Sequence, residues 1–263
     1  MNRRIVEAAR RSAAAEASKV AGDRGGLMVS GAFVIVVVAM LSALWRAAAE
    51  ANGGAVVGYS AVALVWYVTV SEIATISQRM QFIDELGDDI GSGRVDAALL
   101  RPVPMFYLVW AAQVGGMVPR LAVCTAAAVP LSLIVIGAPP SWASLCLAAP
   151  ALFLGLVVNI TAQHVFAAVA FWLRNSRATW FVYQKFVFVV GGMLLPLEVL
   201  PDWLETLARW LPFMAMAYVP ARLAAGFFEP ELLLIQLAWL VVAFISAAAV
   251  FSWGERRLTA GVS

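Results

Sequence analysis

The chain has 263 residues, 63% of them hydrophobic and only 13% charged, with a mean hydropathy of +0.87 and a net charge of +2. A soluble domain is nearer half apolar and a quarter charged, so the composition excludes an ordinary soluble enzyme and points to an integral membrane protein. The small net charge says nothing about nucleic acid. Cys124 and Cys146 lie in or beside apolar runs without CxxC spacing, which reads as small buried hydrophobes and not a disulfide framework or metal site.

Residues 1–26 carry Arg3, Arg4, Arg10, Arg11, Lys19 and Arg24 among many alanines, the strongest helix formers. They read as a basic interfacial helix drawn to anionic lipid of the cytoplasmic leaflet and ended by Gly25-Gly26. A solvated tail is the alternative, because the apolar face is mostly alanine. Residues 27–263 read as a membrane domain of six spans. Leu27 to Trp45 is a charge-free run of 19 residues, close to the roughly 20 that cross the hydrocarbon core. It is too long for a typical signal-peptide core and is read as a retained span. Val56 to Ile76 is the second span and holds Glu72. An acid inside a span is a functional candidate by default, although one so near the cytoplasmic end can pair with a basic neighbour such as Arg79.

Residues 77–107 interrupt the apolar pattern with Arg79, Arg94 and Arg101 among Asp84, Glu85, Asp88, Asp89 and Asp96. Phe82, Leu86 and Ile90 recur at four-residue spacing with Ile83 beside them, which predicts one apolar helical face. Gly91 and Gly93 break that pattern, and a second turn, Val95 to Leu100, ends at Arg101-Pro102, since the residue before proline avoids the helical region. Two short amphipathic helices around a glycine joint fit a docking element for a soluble partner, or an interfacial connection between spans.

Beyond Tyr107 an interfacial segment is expected to about Val118, then a third span from Leu121 to Ile136. The fourth falls within Leu145 to Leu173 and carries Asn159, Thr161, Gln163 and His164. His164 is the only histidine, which excludes a histidine-based metal site. Polar groups in spans usually bind helix to helix, and that reading is favoured here; Asn159, Gln163, His164 and Glu72 are also the candidates for a translocation path. The fifth span is Trp180 to Leu195. Residues 196–230 are too proline-rich for a span and too apolar for a free loop. They read as an outer-leaflet re-entrant hairpin or interfacial helix, with Trp203, Leu204, Leu207, Trp210 and Leu211 on one face. Leu232 to Trp253 is the sixth span, before a basic tail. With both termini inside, the inner segments hold thirteen basic residues and the outer ones three, Arg46, Arg209 and Arg222; the positive-inside rule therefore places both termini and residues 77–107 in the cytoplasm.

Catalytic motifs are not found. Neither lysine, Lys19 or Lys185, stands in GxxxxGK[ST], and there is no GxSxG or HExxH. ATP hydrolysis, a cofactor or a metal in this chain is not expected.

The segment Ile90-x-x-Gly93-Arg94-Val95-Asp96-x-x-Leu99-Leu100-Arg101-Pro102 resembles a signature of ABC-2-type transporter permeases, and in particular a small subfamily of uncharacterised six-span permeases of similar length. Pro196 to Trp203, Leu211-Pro212-Phe213 and Tyr218-Val-Pro220-Ala221 resemble that family's hairpin before the last span, and Arg256-Arg257-Leu258 its basic terminus. The resemblance implies an all-α integral membrane fold of type V exporter-like architecture in a bacterial inner membrane. It implies a permease paired with a copy of itself or a related chain, and driven by separate cytoplasmic ATPase subunits that bind ATP and magnesium. Exported cargo would be amphipathic or hydrophobic: a drug, a lipid or a lipid-linked glycan. Phe82, Ile83, Leu86, Ile90, Gly93, Asp96, Leu99, Leu100, Arg101 and Pro102 would couple to the ATPase. Trp203, Trp210, Pro212 and Phe213 would form an outer gate. A secondary transporter with polar coupling groups near the midplane, or an assembly protein without transport, are the alternatives.

Overall fold

The structure is a computed structural model that describes residues 3–79, 81–95, 102–172 and 177–261. Ten α-helices are formed by these residues: α1 (Arg3–Gly22), α2 (Arg24–Ala51), α3 (Ala61–Ile76), α4 (Phe82–Gly91), α5 (Met105–Val135), α6 (Trp142–Ala167), α7 (Arg177–Val190), α8 (Asp202–Arg209), α9 (Tyr218–Ala224) and α10 (Pro230–Gly261). A two-stranded hairpin, β1 (Ala55–Val56) and β2 (Tyr59–Ser60), joins α2 to α3. Single 3-10 turns cover Ala168–Phe171, Leu197–Val199 and Pro212–Ala215.

α3 is the hub. Every residue from Ala63 to Ala74 is buried, because α2, α5, α6 and α9 pack around it. Ser60 caps it, its hydroxyl accepting from the Ala63 amide at 3.2 Å. α2 leans on this hub by one stripe, Gly31, Val34, Val38, Ser42, Trp45 and Ala49, at alternating three- and four-residue steps. Its other faces expose Phe33, Val36, Met40 and Leu44, as suits a helix in lipid. α10 packs on α6 and exposes Leu234, Val241 and Ile245 in the same way.

Among the described residues, four helices are long and apolar enough to cross a membrane: Arg24–Ala51, Met105–Val135, Trp142–Phe171 and Pro230–Leu258. Six spans were expected. The two others, α3 with 16 residues and α7 with 14, rise about 24 and 21 Å, short of the ~30 Å hydrocarbon core. α7 ends at Gly191 and Gly192, the latter with φ +68° and its carbonyl accepting from the Tyr67 hydroxyl at 2.5 Å. A side chain there would meet Tyr67 and Tyr218, so the chain reverses tightly where a straight helix would have continued.

Three boundaries differ from the sequence reading. Gly25 and Gly26 do not end the first helix; Asp23 does, as N-cap of α2, accepting from the Gly26 amide at 3.0 Å. Helical glycine is costly, but a cap satisfies otherwise orphaned amides. The predicted break near Val118 is absent: α5 runs unbroken through Pro119 and Pro130. Membrane helices tolerate proline where neighbouring helices and polar side chains serve the freed backbone groups. α1 is not free on a surface but lies along α5. Its alanines allow the close approach, with the Ser12 hydroxyl donating to the Leu108 carbonyl at 2.8 Å.

Close backbone packing also decides the α6–α9 contact. A Cβ at Gly155 would strike the Met216 carbonyl and come within 3.0 Å of Gln236 Nε2. That amide nitrogen bridges the Ala151 carbonyl at 2.9 Å and the Ala215 carbonyl at 2.8 Å. Gly155→Val is expected to destabilise the fold by about 1–3 kcal/mol through overpacking; a lowered melting temperature in detergent, against a Gly22→Ala control that meets open space at the end of α1 and is not destabilised, would be the readout.

Candidate functional site

Three layers hold the chemistry-bearing residues: a short helix at one end of the bundle, a polar belt inside it and an ionic knot at the other end. The first layer is α4. Asp84 and Glu85 in its first turn favour the positive end of the helix dipole. Phe82, Ile83 and Leu86 are buried, against α6, α7 and the 3-10 turn at Ala168–Phe171. The Phe82 ring packs 4.5 Å from that of His164, which also meets Phe106 and Phe251, each at 5.6 Å. This corrects the expected direction of docking. The apolar face seats α4 on its own bundle, since it is the only face that can bury apolar surface there. The outward surface is polar: Gln81, Asp88, Ser92 and Arg94 are exposed, and ion pairs tie Arg79 to Glu85 and Arg94 to Asp89, each at 2.7 Å. Ile90 is half-buried, and Gly93 turns the chain with φ +74°. Pro102 is exposed. Asp96, Leu99, Leu100 and Arg101 lie outside the described residues.

The polar belt ties helices together. Asn159, Gln163 and His164 are wholly buried on α6. Asn159 Oδ1 accepts from the Tyr183 hydroxyl of α7. Gln163 Oε1 accepts from Gln113 Nε2 of α5 at 3.4 Å, and its Nε2 donates to Gln78 Oε1 at 3.3 Å. His164 Nδ1 lies 2.8 Å from the Ile160 carbonyl. Trp110 Nε1 donates to the Thr161 hydroxyl at 2.9 Å, and the Thr69 and Ser132 hydroxyls are 2.6 Å apart. Interhelical bonding is what the sequence favoured for the Asn159–His164 cluster. Glu72 departs from its expected pairing: it is buried at 5% exposure and makes no hydrogen bond or ion pair among the described residues. Its anticipated neighbour, Arg79, is held by Glu85.

The third layer was not foreseen as a site. Arg222 of α9 binds Glu198 through Nη1, reaches the Tyr59 hydroxyl at 2.7 Å and grips Glu229 with Nη2 at 2.5 Å. The Tyr218 hydroxyl donates to Glu198 at 2.6 Å, and Arg209 stands 3.6 Å from the same carboxylate. The Arg222 guanidinium also lies 4.8 Å from the Phe227 ring centre. Burial and the Glu198 carboxylate push the Tyr59 hydroxyl above the usual phenol range, so it keeps its proton for Glu198. These residues span 171 positions of sequence, from Tyr59 to Glu229. The only signal in the sequence was charge, at Glu198, Arg209 and Arg222, inside an otherwise apolar stretch.

The expected gate residues divide. Phe213 is buried and stacks on Phe186 at 5.5 Å, with Pro212 beginning its turn. Trp203 and Trp210 are 69% and 78% exposed. They point away from the bundle because α8 is strongly amphipathic and buries only Ala208.

A family model described as ABC-2 family transporter protein matches residues 31–261. The chain belongs to this family. It is thus a multi-pass membrane permease and a transport component, not the ATPase. Among curated proteins nothing matches the permease. The match begins at Gly31 and leaves out α1, the element whose role the resemblance explains least.

The knot's central pair is largely enclosed, with 13% of the Arg222 side chain and 16% of that of Glu198 exposed. Arg222→Ala leaves that carboxylate only the Tyr59 and Tyr218 hydroxyls and the more distant Arg209, and is expected to cost about 1.5–3 kcal/mol. The loss would be read as a lower melting temperature of the permease in detergent, with Glu198→Gln milder because the amide still accepts from Tyr218.

Proposed function

We propose that this permease is the membrane half of an ATP-driven exporter, paired with a second permease and served by cytoplasmic ATPase subunits that bind the ATP and magnesium. One observation carries the reading. α4 is bolted to the bundle through Phe82 on His164, while its polar edge, Asp88 to Arg94, faces outward. A push on that edge is delivered to the ends of α6 and α7 and to the α10 ring Phe251. Packed elements of this kind move as rigid bodies between discrete arrangements. The ATPase contact therefore falls on the polar edge and the segment beyond it, including Asp96, Leu99, Leu100 and Arg101, and the apolar residues act as the transmission.

The outer knot favours a closed exit. Glu198, Arg222 and Tyr59 bind the hairpin to the α2–α3 connection, and opening the outer side requires these bonds to part. Asn159, Gln163 and His164 are enclosed within the chain, which disfavours a secondary transporter, whose coupling groups must reach a path. The cargo class is an amphipathic or hydrophobic molecule, and the site of action a bacterial inner membrane with both termini cytoplasmic.

Two variants separate the roles. Phe82→Ala is expected to leave ATPase co-purification intact and to lower the transport-to-hydrolysis ratio in proteoliposomes several-fold, with about 3 kcal/mol lost from the bundle. Asp88→Arg with Asp89→Arg should weaken ATPase binding and leave the melting temperature of the isolated permease unchanged. Normal ATPase binding and transport by the double variant would remove the docking role from this edge. Recovery of the tagged permease without any P-loop subunit, at an expression level where complexes survive, would remove the exporter reading itself.

A further inference from the structure

A cleft lies where α1 crosses α5 beside the α3–α4 joint, apart from the coupling helix's outer edge and the outer knot. α1 closes it like a strap: a Cβ at Gly115 would collide with the Ala13 carbonyl, and one at Gly116 would stand 3.0 Å from Glu16. Two adjoining cavities of about 130 and 360 Å³ share Val20, Gln78, Arg79 and Arg120 in their walls.

Arg120 is the anomaly. It is half-buried in an apolar helix, and no carboxylate binds it among the described residues. The other cations of the wall are held: Lys19 by Glu16 at 3.4 Å and Arg79 by Glu85 at 2.7 Å. Asp23, the second acid of the wall, is committed to capping α2. Gln78 is only 8% exposed, and its Nε2 donor has no partner although its Oε1 is bound by Gln163. Gln113 brings an unpartnered Oε1 acceptor to the same cavity. An uncompensated guanidinium beside a buried, unused N–H donor recognises an oxyanion, and arginine suits phosphate in particular. The free acceptor suits a hydroxyl of the kind a glycerol headgroup or a protonated phosphate oxygen carries. Leu27, Ile76 and Val20 make the wider cavity apolar on one side.

We infer that this cleft binds a phosphate-bearing headgroup, with Arg120 as the charged partner and Gln78 Nε2 as the neutral donor. The site is independent of the exported cargo. A cytoplasmic-leaflet phospholipid and a soluble glycerol phosphate present the same group. Bound there, either one bridges α1 to the joint from which α4 departs.

Native mass spectrometry of the full chain in detergent tests this, with phosphatidic acid as the probe and diacylglycerol as the uncharged control. Phosphatidic acid should bind and diacylglycerol should not. Arg120→Gln and Gln78→Leu should each weaken binding, the former roughly ten-fold or more as for loss of a charge-assisted bond. Arg10→Gln, on the exposed side of α1, should bind as the parent does. Competition by sn-glycerol 3-phosphate assigns the site to soluble phosphates; its failure to compete assigns it to leaflet lipid. If Arg120→Gln does not fold by size-exclusion chromatography, Gln78→Leu decides. Equal binding by either folded variant and the parent overturns the inference. So does equal weakening by Arg10→Gln, which would mark general charge attraction, or binding of diacylglycerol as tight as that of phosphatidic acid.

Discussion

The ring of Phe82 against His164 is the contact on which the mechanical organisation depends. It joins the amphipathic α4 to His164 of α6 and, through that ring, to Phe106 of α5 and Phe251 of α10. A buried phenyl contributes roughly 2–3 kcal/mol by transfer alone, and here it also sets direction. Because α4 spends its apolar face inward, whatever meets it from outside the bundle must read charge and shape on the polar edge. The two faces of this ten-residue helix thus offer different chemistry.

The same economy recurs at the other end of the bundle. Enclosed polar groups are costly unless they find partners, and here they find each other. Arg222 gathers Glu198, Glu229 and Tyr59, and through Glu198 also Tyr218 and Arg209. Between the two ends, the glutamine chain Gln113–Gln163–Gln78 links α5, α6 and the α3–α4 joint. Gln78 belongs to that chain and shares a cavity wall with Arg120, so a ligand in the α1 cleft would act on the element that positions α4.

Short helices are legible only in this context. α3 is too short to cross alone, yet every residue from Ala63 to Ala74 is buried. Hydropathy windows measure length of apolar sequence, and Val56–Ile76 passed that measure because Val56 to Ser60 are nearly as apolar as a helix. The hairpin there is made by Gly58, with φ +82°, and by Val57 at φ +48°, and the helix starts only at the Ser60 cap. Likewise Pro119 suggested a break that the neighbours of α5 made unnecessary.

The sequence by itself determined the membrane class, the helical character, the family, the amphipathic face of Phe82, Ile83 and Leu86, and the interhelical bonding of Asn159, Thr161 and Gln163, whereas His164 bonds back to Ile160 of its own helix. Each rests on periodicity, composition or a local motif, which are properties of neighbours along the chain. Only the tertiary structure decided which way the Phe82 face points, that Arg79 serves Glu85 and leaves Glu72 alone, and that Arg222 meets Tyr59 across 163 positions. The first and the last are contacts between distant segments, and the local Arg79–Glu85 pair forms because the turn into α4 brings the two together. Burial and ion pairing depend on which elements approach in space, and an amphipathic helix shows the same pattern whether its apolar side meets its own bundle or another protein.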